Sequence, residues 1–174
     1  LLNTEPVTKR TVTSGAGQVV AGTERGSLSG SDLLIPVSGV APSQLTSTYE
    51  DSRADGARLH QAIDIMSPRG TPVMAAAPGT IEKLFQSNDG GNTIYLRSED
   101  RRTIYYYAHL DSYASGIAEG QKVGRGQTLG TVGSTGNASE TAPHLHFAIM
   151  QTSPDAEWWD SGTAVDPYPL LSGQ

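Results

Sequence analysis

Short apolar runs separated by turn residues fill most of the chain from residue 63 onwards. At Ile63-Asp64-Ile65 apolar and polar positions alternate, so Asp64 faces away from its two neighbours on a predicted strand. The same pattern predicts strands at residues 73 to 77, 80 to 85, 92 to 96, 103 to 109 and 143 to 147. Glycine-containing turns separate them, most clearly at residues 88 to 91. The pattern predicts an all-β protein built from antiparallel hairpins, with one short helix at residues 111 to 118.

A short internal repeat supports the hairpin interpretation. Residues 70 to 81 contain Gly-x-x-Val, a short interval, and then Gly-Thr followed by a β-branched residue. Residues 120 to 132 repeat this order. Two such units are too few for a solenoid. We therefore expect them to close into one compact antiparallel sandwich or barrel-like domain.

Residues 1 to 32 have a different composition from the rest of the chain. They are rich in Thr, Ser and Gly and contain no aromatic residue, although a short strand near Gln18 fits the pattern. Such a composition is typical of a flexible linker or tail. Apolar residues return at Leu33, so the predicted folded domain covers residues 33 to 174.

Composition and charge exclude several classes of protein. The chain has no cysteine, so it has neither a disulfide framework nor a thiolate metal site. Its net charge is -6 without a Lys/Arg cluster, which argues against nucleic acid and anionic membrane surfaces as partners. No apolar run approaches the roughly 20 residues of a membrane span. Because the chain begins at Leu1, we expect that any signal peptide has already been removed.

The chain has four histidines, and each lies in a patterned region. His60 precedes Asp64 by four residues, and His109 ends an aromatic run. His144 and His146 are two apart on a predicted strand, so they share one face. A His-x-His pair alone is more often structural. Two imidazoles, one carboxylate and water, however, form a known catalytic zinc shell, which would leave two histidines for proton transfer.

Five motifs in order along the chain carry a resemblance to a known family. They are His60-x-x-x-Asp64, Gly70-Thr71-Pro72-Val73, Tyr107-Ala108-His109-Leu110, Gly130-x-Val132-Gly133-x-Thr135-Gly136 and Pro143-His144-Leu145-His146-Phe147. Together they closely resemble the lysostaphin/LytM-type zinc metallopeptidases, which cut peptide bonds in bacterial peptidoglycan. The resemblance runs from about residue 34 to residue 171.

The resemblance implies a fold, a metal and a set of roles. The fold would be a small antiparallel β domain with a groove across the sheet. His60, Asp64 and His146 match the family's zinc ligands, with one Zn²⁺ per chain, and His109 and His144 match its catalytic histidines. The implied partners are peptidoglycan peptides, and the implied location is extracytoplasmic, either periplasmic or secreted. We expect a monomer.

Two aromatic features remain open between a functional and a structural interpretation. Tyr49 or Tyr107 would donate a hydrogen bond to a developing oxyanion, or would pack as a buried aromatic residue. Trp158 and Trp159 would line a substrate groove, or would clasp the C-terminal segment onto the domain.

Two rival functions are weighed against the peptidase. One is an inactive member of the same family that binds and regulates a cell-wall amidase. The other is a phosphocarrier or carbohydrate-handling domain, which leaves Asp64 and the His-x-His pair unexplained together.

The tail, residues 1 to 32, would be a tether or an inhibitory segment that occupies the metal's open position. The tether is favoured because residues 1 to 32 contain no histidine or cysteine.

Overall fold

The computed structural model describes residues 32–53 and 58–173. Apart from Asp32, the predicted tail and its strand near Gln18 lie outside these residues. The elements in chain order are a 3₁₀ turn, Pro42–Gln44, the strands β1 Ser52–Arg53, β2 Arg58–Leu59, β3 Ile63–Met66, β4 Pro72–Met74, β5 Gly79–Ser87, β6 Gly91–Ser98, β7 Thr103–Tyr113, β8 Lys122–Val123, β9 Thr128–Val132, β10 His144–Gln151 and β11 Thr163–Val165, and the helix α1 Pro167–Ser172. None of the helices among the described residues is long or apolar enough to cross a bilayer.

One antiparallel sheet dominates the described residues. Its main path runs in the order β11-β10-β7-β6-β5-β8, while β3 pairs with the first half of β10. Strand β9 pairs with β4 on one side and with the end of β7 on the other. The remaining strands, β1 and β2, form a separate two-stranded ribbon. The prediction of an all-β, antiparallel protein is confirmed, and the large sheet is open.

Alternation along the strands separates a core face from a second face. The core face buries apolar side chains, namely Ile63, Ile65, Ile94, Leu96, Tyr105, Tyr107, Leu145 and Phe147. Each such burial stabilises the fold by about 1.5–3 kcal/mol. Side chains from residues 33–45, β4, β9 and α1 pack into the same cluster. The second face carries Asp64, Tyr106 and His146, which are half-buried.

The two copies of the internal repeat pair with each other instead of forming separate hairpins. Val73 of the first copy lies opposite Gly130 of the second. In the same way Gly79 of the first copy lies opposite Val123 of the second. A Cβ at either glycine would collide with the backbone carbonyl of an adjacent strand, so close approach requires glycine at both positions. The repeat therefore forms an interlocked pair of strands and not two independent units.

The predicted helix at residues 111 to 118 is wrong. Strand β7 continues to Tyr113, where it pairs with Gly130 of β9, because the backbone finds its hydrogen-bond partners on a neighbouring strand. A tight turn follows, in which the Ile117 N–H donates to the Ala114 carbonyl. The short helix lies instead at α1. Its first turn is capped by the Asp166 carboxylate, which accepts a hydrogen bond from the Tyr168 N–H.

Candidate metal centre

Strands β3 and β10 bring three candidate ligands together on the second face. Asp64 lies directly opposite His146, so both side chains project to the same side of the sheet. His60 joins them from the segment just before β3. Its Nε2 lies 2.9 Å from Oδ1 of Asp64 and 3.0 Å from Nδ1 of His146. Nδ1 of His146 is in turn 3.4 Å from Oδ1 of Asp64.

A left-handed residue and a backbone carbonyl set the orientation of His60. Gln61 has a φ of +53°, and its N–H donates to the Tyr49 carbonyl. The His60 N–H donates to the carbonyl of Asp51. Nδ1 of His60 lies 2.9 Å from the carbonyl oxygen of Thr48. Because a carbonyl only accepts, neutral His60 carries its proton on Nδ1 and offers the lone pair of Nε2 to the site.

This donor set fits a zinc ion. One atom each from His60, Asp64 and His146 lies within 4.8 Å of the other two. Two imidazole nitrogens and one carboxylate oxygen are a ligand set that catalytic zinc sites use, with a further position left for water or substrate. A divalent cation between them would bind lone pairs that converge on one point. The residues present therefore suit the metal that the sequence predicts.

Two further imidazoles face this group. Nδ1 of His109 donates to the Thr135 carbonyl at 2.8 Å, and Nδ1 of His144 donates to the Ala142 carbonyl at 3.0 Å. Each neutral ring therefore keeps Nε2 unprotonated. The two ring centroids are 5.0 Å apart, and Nε2 of His144 lies 3.6 Å from Oδ1 of Asp64. The structure brings all five predicted site residues into one cluster.

A break in strand β7 turns His109 towards the cluster. In an unbroken strand His109 would share the core face with Tyr107. Instead its φ is +62°, and its N–H donates to the Gly90 carbonyl at 2.8 Å. The pairing of β6 with β7 also shifts register between Asn92 and Ile94. This bulge moves the imidazole to the opposite face of the sheet.

Burial and charge set the protonation of these groups. Burial lowers the pKa of His109 to about 4, although the hydrogen bond to the Thr135 carbonyl opposes the shift. Burial also lowers the pKa of His146. Burial opposes the ionisation of Asp64, yet hydrogen bonds and charges from the surrounding histidines hold the pKa of this carboxyl well below its usual range. At neutral pH His109 and His146 are therefore neutral, and Asp64 is a carboxylate.

The comparison with known families agrees with this geometry. Residues 58–167 match peptidase family M23. The chain belongs to this family. The resemblance drawn from the five motifs is thus confirmed.

Relatives and solved structures are similar to this M23 chain in sequence and in fold over about three quarters of its length. The chain is 37% identical over 131 residues to the L-Ala–D-Glu endopeptidase of Bacillus subtilis, covering 72% of this chain and 38% of that protein. It is similar to the catalytic domain of lysostaphin from Staphylococcus simulans, with a TM-score of 0.61 and 36% identity over 73% of this chain and 90% of that domain. A zinc-containing peptidase from Vibrio cholerae has a TM-score of 0.57 and 26% identity, covering 74% of this chain and 36% of that one. The M23 chain spans between a fifth and two fifths of the length of the curated relatives it matches.

In this M23 chain the cluster opens into a cavity of about 630 Å³. The turn that carries Asp89 and the loop that carries Asn137 contribute to its lining. Tyr106 also lines it, with its ring centroid 5.8 Å from that of His146. Tyr106 was not predicted as a site residue from the sequence. Strand alternation could have predicted its position, because the middle residue of a three-tyrosine run faces away from the core when its two neighbours face the core.

The structure answers the open question for Tyr107. Tyr107 is fully buried, and its hydroxyl accepts a hydrogen bond from the Ala76 N–H at 2.9 Å. It is therefore a core residue and does not reach the cavity. Tyr49 is half-buried and contributes its backbone carbonyl to Gln61.

Trp158 packs against the rings of Phe85 and Tyr95, at centroid distances of 5.2 and 4.9 Å. This contact holds the segment after β10 on the second face of the sheet, as a clasp does. Trp159 is 64% exposed. The two tryptophans therefore differ in environment, and only Trp158 is packed between other aromatic rings.

Proposed function

We propose that this M23 chain is a zinc-dependent endopeptidase that hydrolyses peptide bonds in bacterial peptidoglycan. The observation that carries the proposal is the convergence of His60 Nε2, Asp64 Oδ1 and His146 Nδ1 beside two further imidazoles. Relatives named as an L-Ala–D-Glu endopeptidase and a peptidoglycan DD-endopeptidase support the substrate class.

His60, Asp64 and His146 would hold one Zn²⁺ per chain. The Thr48 carbonyl fixes His60 in the tautomer that a metal ligand needs. Asp64 supplies the one negative charge among these ligands, and its low pKa keeps it ionised. When bound, zinc supplies Lewis-acid chemistry, which polarises a carbonyl group and makes water easier to deprotonate.

His109 and His144 perform the proton transfers. Their Nδ1–H groups are held by the carbonyls of Thr135 and Ala142, so each ring in its neutral form has its lone pair on Nε2. Such a lone pair takes a proton from the attacking water, and the imidazolium returns it to the leaving amine. Holding both rings by backbone carbonyls keeps them oriented during the reaction.

The working unit is a monomer that acts outside the cytoplasmic membrane. All five site residues come from one chain, so the site does not depend on a second copy. A peptidoglycan substrate lies in the periplasm or at the cell surface, which supports an extracytoplasmic location.

Zinc analysis combined with wall digestion tests the proposal. Atomic emission on the dialysed protein should show about one zinc per chain, from the ligand count. Purified sacculi should release muropeptides that mass spectrometry identifies as products of peptide-bond cleavage. Chelation should stop the release, and added zinc should restore it. Asp64→Asn should lose zinc, whereas Glu99→Gln, an exposed carboxylate on the turn after β6, should keep it.

A folded protein that keeps zinc in the Asp64→Asn and His146→Ala variants would contradict the ligand assignment. A folded protein that binds no zinc and cleaves no peptide would overturn the enzymatic proposal. Such a result would favour the regulatory binding module.

A further inference from the structure

A row of aromatic rings leads away from the candidate metal centre. The ring of His146 contacts Tyr106, and the ring of Tyr106 contacts Tyr95 at a centroid distance of 4.9 Å. Tyr95 contacts Trp158 at 4.9 Å, and Trp158 contacts Trp159 at 5.4 Å. The row crosses β10, β7 and β6, which are adjacent strands, on the face that carries the site.

The outer end of this row is exposed. Among the described residues three large hydrophobic side chains are exposed, Met66, Phe85 and Trp159. Phe85 and Trp159 both contact Trp158, so two of the three belong to one patch. Exposed apolar groups that cluster mark binding surfaces more often than isolated ones do. We call Phe85, Trp158 and Trp159 the aromatic platform.

Buried polar contacts hold the platform in place. The fully buried guanidinium of Arg97 donates to the carbonyls of Ser153 and Ala156 at 3.3 and 2.7 Å. Immediately after these residues, a turn is closed by the Glu157 N–H, which donates to the Asp160 carboxylate at 2.8 Å. The two tryptophans lie inside this turn. A preformed surface binds a ligand without a large ordering cost.

We propose that the aromatic platform is a subsite for a sugar ring of the peptidoglycan glycan strand. The inference rests on the proposed function, because the stem peptide bound at the metal centre is attached to that strand. Phe85 lies on β5, three strand spacings of about 4.8 Å from β10, so this part of the platform lies roughly 15 Å from His146. A stem of three or four extended residues covers roughly 10–14 Å. A sugar at the far end of such a stem therefore comes close to the platform.

The chemistry of the platform suits a sugar better than a peptide. An exposed indole ring offers a flat apolar face, which matches the C–H face of a pyranose ring. Lys83, whose ammonium lies 5.7 Å from the Trp158 ring centroid, and Glu119 supply polar groups beside it. Apolar surface with a few placed polar groups is the usual composition of a small-molecule subsite.

A pair of matched substrates tests this subsite. One is a cross-linked muropeptide with its disaccharides, and the other is the same cross-linked peptide after an amidase has removed the sugars. Trp159→Ala should lower kcat/KM about tenfold on the sugar-linked substrate, mostly through KM, since aromatic stacking contributes that much. It should leave kcat/KM on the sugar-free peptide unchanged. Trp159→Tyr, which keeps an aromatic face, should stay close to wild type on both.

A second measurement does not depend on hydrolysis. Glycan chains stripped of all stems should bind the zinc-loaded wild-type protein in isothermal titration calorimetry, and Trp159→Ala should weaken that binding. Absence of peptide cleavage combined with Trp159-dependent glycan binding would overturn the proposed function and leave the subsite standing. Equal losses on both substrates, or no loss on either and no glycan binding, would overturn the subsite.

Discussion

The backbone carbonyl of Thr48 lies 2.9 Å from Nδ1 of His60 and fixes the tautomer of that imidazole. The hydroxyl of the same threonine accepts a hydrogen bond from the Asp64 N–H at 3.0 Å. One residue therefore positions two of the three candidate ligands. Thr135 has the same role for His109, since its carbonyl binds the ring and its hydroxyl donates to the Leu110 carbonyl. Thr48 was not identified from the sequence, and Thr135 was identified only as part of a motif, because both act from loops.

Replacing Thr48 by Val removes the hydroxyl that accepts from the Asp64 N–H and keeps the backbone carbonyl that binds His60. Zinc affinity should fall by about 10–100-fold, because hydrogen bonds around a metal site orient its ligands. Thr48→Ser keeps the hydroxyl and should bind zinc nearly as well as wild type. Competition with a chromogenic chelator measures both affinities. Wild-type affinity in Thr48→Val would show that the backbone holds His60 and Asp64 without this side chain.

Replacing either His109 or His144 by Ala should separate metal binding from chemistry. Both variants should keep their zinc, because neither residue belongs to the candidate ligand group. Turnover should fall by about 10²–10⁴-fold, the usual contribution of a general acid or base. Zinc analysis and a peptide-cleavage assay on the same samples provide the two readouts. Loss of zinc from a folded His144→Ala protein would identify that residue as a ligand.

The metal-free protein should lose stability as the pH falls from about 6.5 to about 4. The pKa of His109 is about 4 in the folded protein, whereas an unfolded chain has an ordinary histidine with a pKa near 6.5. Within this window the unfolded state binds more protons, so the free energy of unfolding decreases on acidification. The lowered pKa of His146 acts in the same direction, and the lowered pKa of Asp64 removes stability at still lower pH.

Urea unfolding of the chelator-treated protein at pH 7, 5.5 and 4.5 measures this dependence. His109→Gln should show a smaller decrease between the first two values, because the group that titrates has been removed. An unchanged pH dependence in that variant would show that His109 is protonated equally in both states.

Arg97→Met should destabilise the fold by about 3 kcal/mol, since it leaves a largely buried carboxylate without its main partner. The guanidinium lies 2.6 Å from Glu82 Oε2, and Arg101 is only a distant second partner at 3.7 Å. Urea denaturation measures the loss. The double variant with Glu82→Met should recover part of it, because the unpaired charge is then absent. A loss below about 1 kcal/mol would mean that water replaces Arg97.

Local pattern was sufficient for much of the fold and for part of the site. Alternation at Ile63-Asp64-Ile65 placed the carboxylate opposite two core residues, and the structure has the same arrangement. His144 and His146, two apart on a strand, both lie within 3.6 Å of Asp64 Oδ1. Such inferences succeed because side-chain direction in a regular strand depends only on the parity of the position.

The tertiary structure decided where the strands break and where they end, which the alternation of positions does not specify. His109 leaves the core face because its φ is +62°, a conformation stabilised where its N–H meets Gly90 and its ring meets the Thr135 carbonyl. Both partners are distant in sequence. Residues 111 to 113, expected in a helix, continue β7 because β9 supplies hydrogen-bond partners. The sequence by itself determined the strand pattern and the chemistry of the ligands. Long-range hydrogen bonds determined the bulge that completes the site, since a strained backbone conformation persists only where surrounding contacts hold it.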